Sequence, residues 1–230
     1  MPRPPGHGPG FEQRRQEIID KAAILFGERG YAATGVSDIC SAVQLGKGAL
    51  YYYIGSKEKL LVAIQNRVLA PLLLSAGKIV GLDVSAMVRL RMLSENLMMV
   101  ILHHLPHIWV YEHDYRHLTG ENRTEIVLQR RQFENMVRSL LEEAMETGDI
   151  AEADAKLATL QFLNLHNHTY QWARPSQPWS PSDLAATYYR TLMLGFGAKA
   201  SAVKRAEATA TALLNGQDAD AAIHFAAATL

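Results

Sequence analysis

Residues 34–57, TGVSDICSAVQLGKGALYYYIGSK, leave the chain little choice of local structure. Val36, Ile39, Cys40 and Val43 recur at helical spacing, which predicts a first helix over residues 36–43 with one apolar face. Gln44-Leu45-Gly46 reads as a tight turn. Leu50 and Ile54, four residues apart, point inward from a second helix predicted over residues 47–53. Two short helices joined by three or four residues that include a Gly form the helix-turn-helix pattern, whose second helix enters the DNA major groove. Lys47, Gly48, Tyr51 and Tyr52 lie away from or beside the apolar side, and Lys57 follows just past the end.

Here the chain resembles the TetR (TetR/AcrR) family of one-component bacterial repressors. That family writes the region roughly as T-T-V-x-D-I-A-x-x-A-G-V-S-x-G-T-L-Y-x-Y-F-x-S-K-E-x-L. Thr34, Val36, Asp38, Ile39, Gly48, Leu50, Tyr51, Tyr53, Ser56, Lys57, Glu58 and Leu60 stand in those places. Gly35, Gly46 and Ala49 replace hydroxyl residues. A Gly cap costs only a few tenths of a kcal/mol relative to Ser or Thr, so the fold should survive. The resemblance implies an all-α fold: an N-terminal three-helix helix-turn-helix domain, then an antiparallel helical bundle that binds ligand and dimerises. It implies double-stranded operator DNA, a small-molecule effector and a second copy as partners, with no cofactor. With the hydroxyls gone, DNA contacts are expected from backbone N–H groups and from Ser37, Lys47, Gly48, Ala49, Tyr51, Tyr52, Tyr53 and Lys57.

The net charge of zero argues at first against a nucleic-acid binder. Its distribution softens that objection. Residues 1–72 carry nine Lys/Arg against six Asp/Glu, and the remainder carries 14 against 17. The basic excess thus sits with the motif and is modest, which predicts specific binding with weak non-specific affinity. The single cysteine, Cys40, excludes an intrachain disulfide and fits a reducing cytoplasm. Its place on the inner face of the first motif helix reads as a small buried hydrophobe. No signal peptide is apparent, and no apolar stretch is expected to approach the roughly 18 residues that span a bilayer, so no membrane partner is expected.

In order, residues 1–11 read as a flexible leader, with Arg3 as a candidate minor-groove arm. Residues 12–72 are the expected DNA-binding domain, 73–197 the ligand-binding and dimerisation domain, and 198–230 an Ala-rich tail of weak helices or partial disorder. A support helix over residues 12–29 carries the stripe Ile18, Ala22, Leu25, Phe26. Arg14 and Arg15 at its start are candidate phosphate contacts. Pro71 should bend or end the helix that begins after Ser56. Helices are expected over 84–104, from Pro106 to 118 with a break at Gly120, over 121–146, over 154–172, and from a Ser180/Asp183 cap to 196. The two helices 154–172 and 182–196 match in position those that pair across the family's two-fold axis, through Leu157, Leu160, Leu163, Leu184, Tyr188, Leu192 and Gly195.

No nucleophile elbow, phosphate loop or dinucleotide fingerprint is present, so no enzyme activity is expected. His103/His107 and His113/His117 are spaced as zinc pairs, but Pro106 interrupts the first, and no HExxH pattern or Cys ligand is near, so no metal site is assigned. HHLPHIWVYEHDYRHL and YQWARP look like the branch of KstR-type and FadR-type regulators of lipid and sterol breakdown, which respond to acyl-CoA thioesters. On that resemblance the ligand residues are Trp109, Tyr115, Arg130, Arg131, Asn164, His168, Trp172 and Arg174, the arginines for CoA phosphates. A ligand-independent DNA binder or activator, or a small-molecule binder with a vestigial motif, remains open as the alternative.

Overall fold

The computed structural model describes residues 10–174 and 176–216. The Arg3 arm and residues 217–230 of the expected tail lie outside them. Among the described residues the regular structure is entirely helical, as expected: α1 (Phe11–Arg29), α2 (Val36–Val43), α3 (Lys47–Ile54), α4 (Lys57–Val80), α5 (Ala86–His103), α6 (Leu105–His113), a 3-10 turn (Tyr115–His117), α7 (Gly120–Glu146), α8 (Ala155–Asn167), α9 (Thr169–Trp172), α10 (Pro181–Gly195) and α11 (Ala200–Asn215).

The chain forms two compact units. Among the described residues, the first holds 10–68 together with 106–127, and the second holds 69–105 and those from 128 to 216. Residues 106–127 therefore pack with the N-terminal helices, although the sequence reading puts them in the second domain. Polar ties inside the first unit account for it. Gln65 Nε2 donates to the Val110 carbonyl (3.2 Å), and Glu58 Oε1 accepts from Thr119 N and Oγ1 (2.9 and 3.0 Å). The apolar filling is Ile18, Ala22, Phe26, Ile39, Val43, Leu50, Leu60 and Ile64, with Ile108, Val110 and Leu118.

Three helix limits differ from those expected, for local reasons. Of the two outcomes expected at Pro71, a bend or an end, the end is not seen: α4 runs on to Val80. An internal proline costs roughly 3 kcal/mol, but burial of Leu69, Leu72, Ala76 and Ile79 returns about 1.5–3 kcal/mol for each large side chain. Gly120 does not break a helix; it opens α7 with φ 50°. The helix over 154–172 divides at His168, which caps α8 and starts α9. The continuous α4 is also long and apolar enough by composition to cross a membrane, against expectation. Leu60, Leu61, Ile64, Val68, Leu69, Leu72, Ala76 and Ile79 are buried inside the protein, as in a core helix, while Leu74 is 65% exposed.

Within the second unit α5 is the central helix, buried along nearly its whole length, with α10 and α11 packed on it. The Ala-rich stretch contributes here: α11 buries Val203, Ala206 and Ala210, whose small side chains allow close helix approach. At the start of α10 the expected cap forms. Ser180 Oγ accepts from Asp183 N (3.1 Å), and Asp183 Oδ2 accepts from Ser180 N (2.9 Å).

Gln44, at the turn between α2 and α3, is the one non-glycine among the described residues with a left-handed backbone (φ 55°). The family pattern writes Gly at this position. A side chain there costs about 1 kcal/mol. Gln44→Gly is therefore expected to raise stability by about 1 kcal/mol, read as a higher urea midpoint; an unchanged or lower midpoint would contradict strain at this turn.

Candidate nucleic-acid interface and regulatory unit

Helix α3 turns Leu50 and Ile54 into the first unit's core and leaves Lys47, Gly48, Ala49, Tyr51 and Tyr52 exposed. Gly46 is its N-cap and supplies no side-chain acceptor, so the first N–H groups of α3 face outward uncapped. Such a terminus favours anions. Gly35 caps α2 in the same way, with Asp38 Oδ2 accepting from the Gly35 N–H (2.7 Å), and Ser37 is exposed on the first turn. Arg14 ties α1 to this pair by donating to the Val43 carbonyl at the end of α2 (2.7 Å), while Arg15 pairs with Glu12.

Two expected contacts have other partners. Tyr53 is half-buried, stacked on Phe11 with centroids 4.9 Å apart. Lys57 Nζ donates to the Tyr31 carbonyl (2.6 Å) and sits 4.1 Å from the Tyr31 ring. Burial there lowers its pKa, against the opposite pull of Asp114 and Asp38. Cys40, expected to be buried, is only partly covered.

The histidines of residues 103–117 take separate partners. His103 Nδ1 contacts the Met99 carbonyl (2.7 Å) and His107 Nε2 lies 2.9 Å from Asp20 Oδ1. His113 stacks on Trp109 (4.4 Å), and His117 stacks on Tyr31 (5.3 Å). Among the described residues no three His, Cys, Asp or Glu side chains converge as a metal site would require. Trp109 and Tyr115, expected to line a ligand pocket, belong to this first unit. Trp109 is partly exposed.

The second unit holds a buried polar cluster that spacing alone did not reveal. Arg91 Nη1 donates to Glu95 Oε2 (2.7 Å), which also accepts from Ser182 Oγ (3.1 Å). His166, fully buried, has Nδ1 2.7 Å from the Phe162 carbonyl and Nε2 2.6 Å from Ser94 Oγ. A carbonyl only accepts, so the His166 proton is on Nδ1; the single Ser94 hydroxyl proton is shared between His166 Nε2 and the Ala185 carbonyl, 3.0 Å away. Burial foremost, and then the Arg91 charge, lower the His166 pKa from 6.5 to about 4. The unfolded chain thus takes a proton more readily than the folded one. Stability is complete above pH 6.5 and falls as the pH drops toward 4, by about 3 kcal/mol in all. The stability advantage of the native protein over His166→Gln should shrink by about that much between pH 7 and pH 4 in urea titrations; a pH-independent difference would contradict a buried neutral His166.

The remaining expected ligand residues are spread over this unit. Arg130 and Arg131 lie on α7, half-buried and exposed respectively. Trp172 meets Trp179 edge-on (6.3 Å), and Arg174 Nη1 donates to the Ala173 carbonyl (2.8 Å) at the end of α9. Asn164 and His168 come together, not in the interior but in an open groove of about 610 Å³ shared with Gln161, Leu165, Thr191, Leu192, Gly195 and Phe196. Leu157 and Leu160 continue this outward face of α8, with Leu157 60% exposed. Leu184 does not join it; it is buried on α10.

Residues 18–64 match the family model described as bacterial regulatory proteins, tetR family, and residues 83–196 match the model of the tetracyclin repressor-like C-terminal domain. The HTH-type transcriptional repressor KstR2 of Rhodococcus jostii is 26% identical over 196 residues, covering 84% of this chain and 96% of the relative. The TetR family transcriptional regulator PfmR from Thermus thermophilus is 30% identical, with a TM-score of 0.71 over 77% of this chain and 97% of its own. AibR, solved in complex with isovaleryl coenzyme A and operator DNA, shares the fold at 24% identity, with a TM-score of 0.71 over 81% of this chain and 100% of its own. Both family models stop short of α11.

Proposed function

The chain belongs to the TetR family of bacterial regulatory proteins, and from that premise we propose that it is a homodimeric transcriptional repressor released from a palindromic operator by a small-molecule effector. The carrying observation is α3: an uncapped N-terminus with Lys47, Tyr51 and Tyr52 exposed beside it, on a helix held from behind by Leu50 and Ile54. Phosphates meet the N–H groups and Lys47, and the tyrosines meet base edges or sugar. Ser37, at the start of α2, adds a backbone contact. A regulator of this kind acts in the cytoplasm, where the DNA is.

The exposed α8–α10 face is the proposed seat of the second copy. Its apolar groove and the leucines beside it suit a self-complementary contact across a two-fold axis. Two α3 helices then read half-sites one helical turn, about 34–36 Å, apart. An effector that binds better to an arrangement with another spacing empties the operator, to the extent of that difference in affinity.

We assign the effector to the acyl-CoA thioesters. The support is the likeness to the repressor KstR2 over 84% of this chain and the isovaleryl coenzyme A with which AibR, a protein of the same fold, was solved. Calorimetry with a panel of acyl-CoAs of different chain length and with steroid-derived acyl groups tests it. Heat with at least one thioester, together with loss of that complex's DNA binding, is the expected result. No heat with any member while DNA binding persists removes the acyl-CoA assignment and leaves the regulator intact.

A further inference from the structure

Phe11, the first residue of α1, forms a three-ring cluster with the recognition helix. Its ring stacks on Tyr53 (centroids 4.9 Å apart, planes 24° apart) and meets Tyr52 edge-on (5.4 Å, 88°). Tyr52 and Tyr53 also meet edge-on (5.4 Å). Yet Tyr52 is 54% exposed, more than any other tyrosine among the large exposed hydrophobics. An aromatic side chain has two torsions to order, and one exposed on a helix samples its rotamers freely. Here the two edge contacts hold Tyr52 at one angle without covering its outer half. Both contact geometries are the favoured ones for aromatic pairs.

We propose that Phe11 is a positioning residue for operator recognition: it orients Tyr52 for the DNA while touching none of it. The proposal rests on operator reading by α3. Tyr51, also exposed, stands outside this three-ring cluster, so the effect should be selective for what Tyr52 contacts. Phe11 holds the reader ring in its bound orientation beforehand, which spares the complex the cost of ordering it.

The test uses the full-length protein. A duplex enriched by the native protein from a random palindromic library serves as specific DNA, and an unselected duplex as control. Phe11→Ala and Phe11→Leu should each bind the enriched duplex about tenfold more weakly, the scale of one to two aromatic contacts, while affinity for the control stays within about twofold. Phe11→Tyr, which keeps the ring, should restore binding. In the Tyr52→Ala background, Phe11→Leu should cost nothing further. Equal losses on both duplexes, no loss on the enriched one, or full additivity with Tyr52→Ala would each overturn the positioning role. Failure of the native protein to enrich any sequence would overturn operator reading by α3, and the proposal with it.

Discussion

Glu95→Ala is expected to remove about 3–5 kcal/mol of stability, a large share of the roughly 5–15 kcal/mol that holds an ordinary domain. The pair it breaks lies inside the second unit, with Arg91 3% and Glu95 10% exposed at the side chain. The mutation leaves a guanidinium stranded in low dielectric, with its Nε already lacking an acceptor. It also removes the acceptor for Ser182 Oγ, which joins α5 to the first turn of α10. Coulomb attraction alone would suggest that any loss of the pair is costly, but desolvation nearly cancels it. Arg91→Met with Glu95→Leu, which removes both charges at similar volume, should therefore lie within about 1.5 kcal/mol of the native protein. Urea unfolding measures both; a Glu95→Ala loss under about 1 kcal/mol would mean that Arg91 finds another partner or reaches water.

Leu160→Glu is expected to cut operator affinity by at least about a hundredfold while leaving the monomer folded. Leu160 is 37% exposed on α8, beside the more exposed Leu157 and the open groove against α10. In a lone chain the new carboxylate faces water, so the cost to folding is small. Across a two-fold axis each copy would bring its carboxylate into an apolar contact, and a charge buried unpaired costs several kcal/mol. A monomer reads one half-site and loses most of the binding energy of two. Analytical ultracentrifugation gives the assembly state and anisotropy the affinity; a Leu160→Glu protein that remains dimeric would place the second copy elsewhere.

Much of this was legible in residues 34–57. The bounds of α2 and the start of α3 follow from apolar spacing and two Gly caps, and the structure agrees to within a residue. Residue type told less about partners. Lys57 resembles a phosphate ligand in sequence, but the chain brings Tyr31 beneath it. Phe11 looked like the end of a leader because a Gly/Pro-rich run precedes it; an aromatic residue directly before an amphipathic helix was the available signal. Proline and glycine misled where burial outweighed them, at Pro71, or where a positive φ served a helix start, at Gly120. The Arg91–Glu95 pair was visible at i, i+4 spacing, but such spacing marks a solvated helix face as readily as a buried one. Its burial is set by α10 and α11, which pack on α5 from far along the chain.

Footprinting on the DNA upstream of its own gene bears most directly on the regulator reading. Two protected half-sites centred about one helical turn apart, bound by two chains at moderate salt and released when Lys47 is replaced by Ala, are expected. Uniform protection without a boundary, or no protection anywhere at low salt, would contradict it.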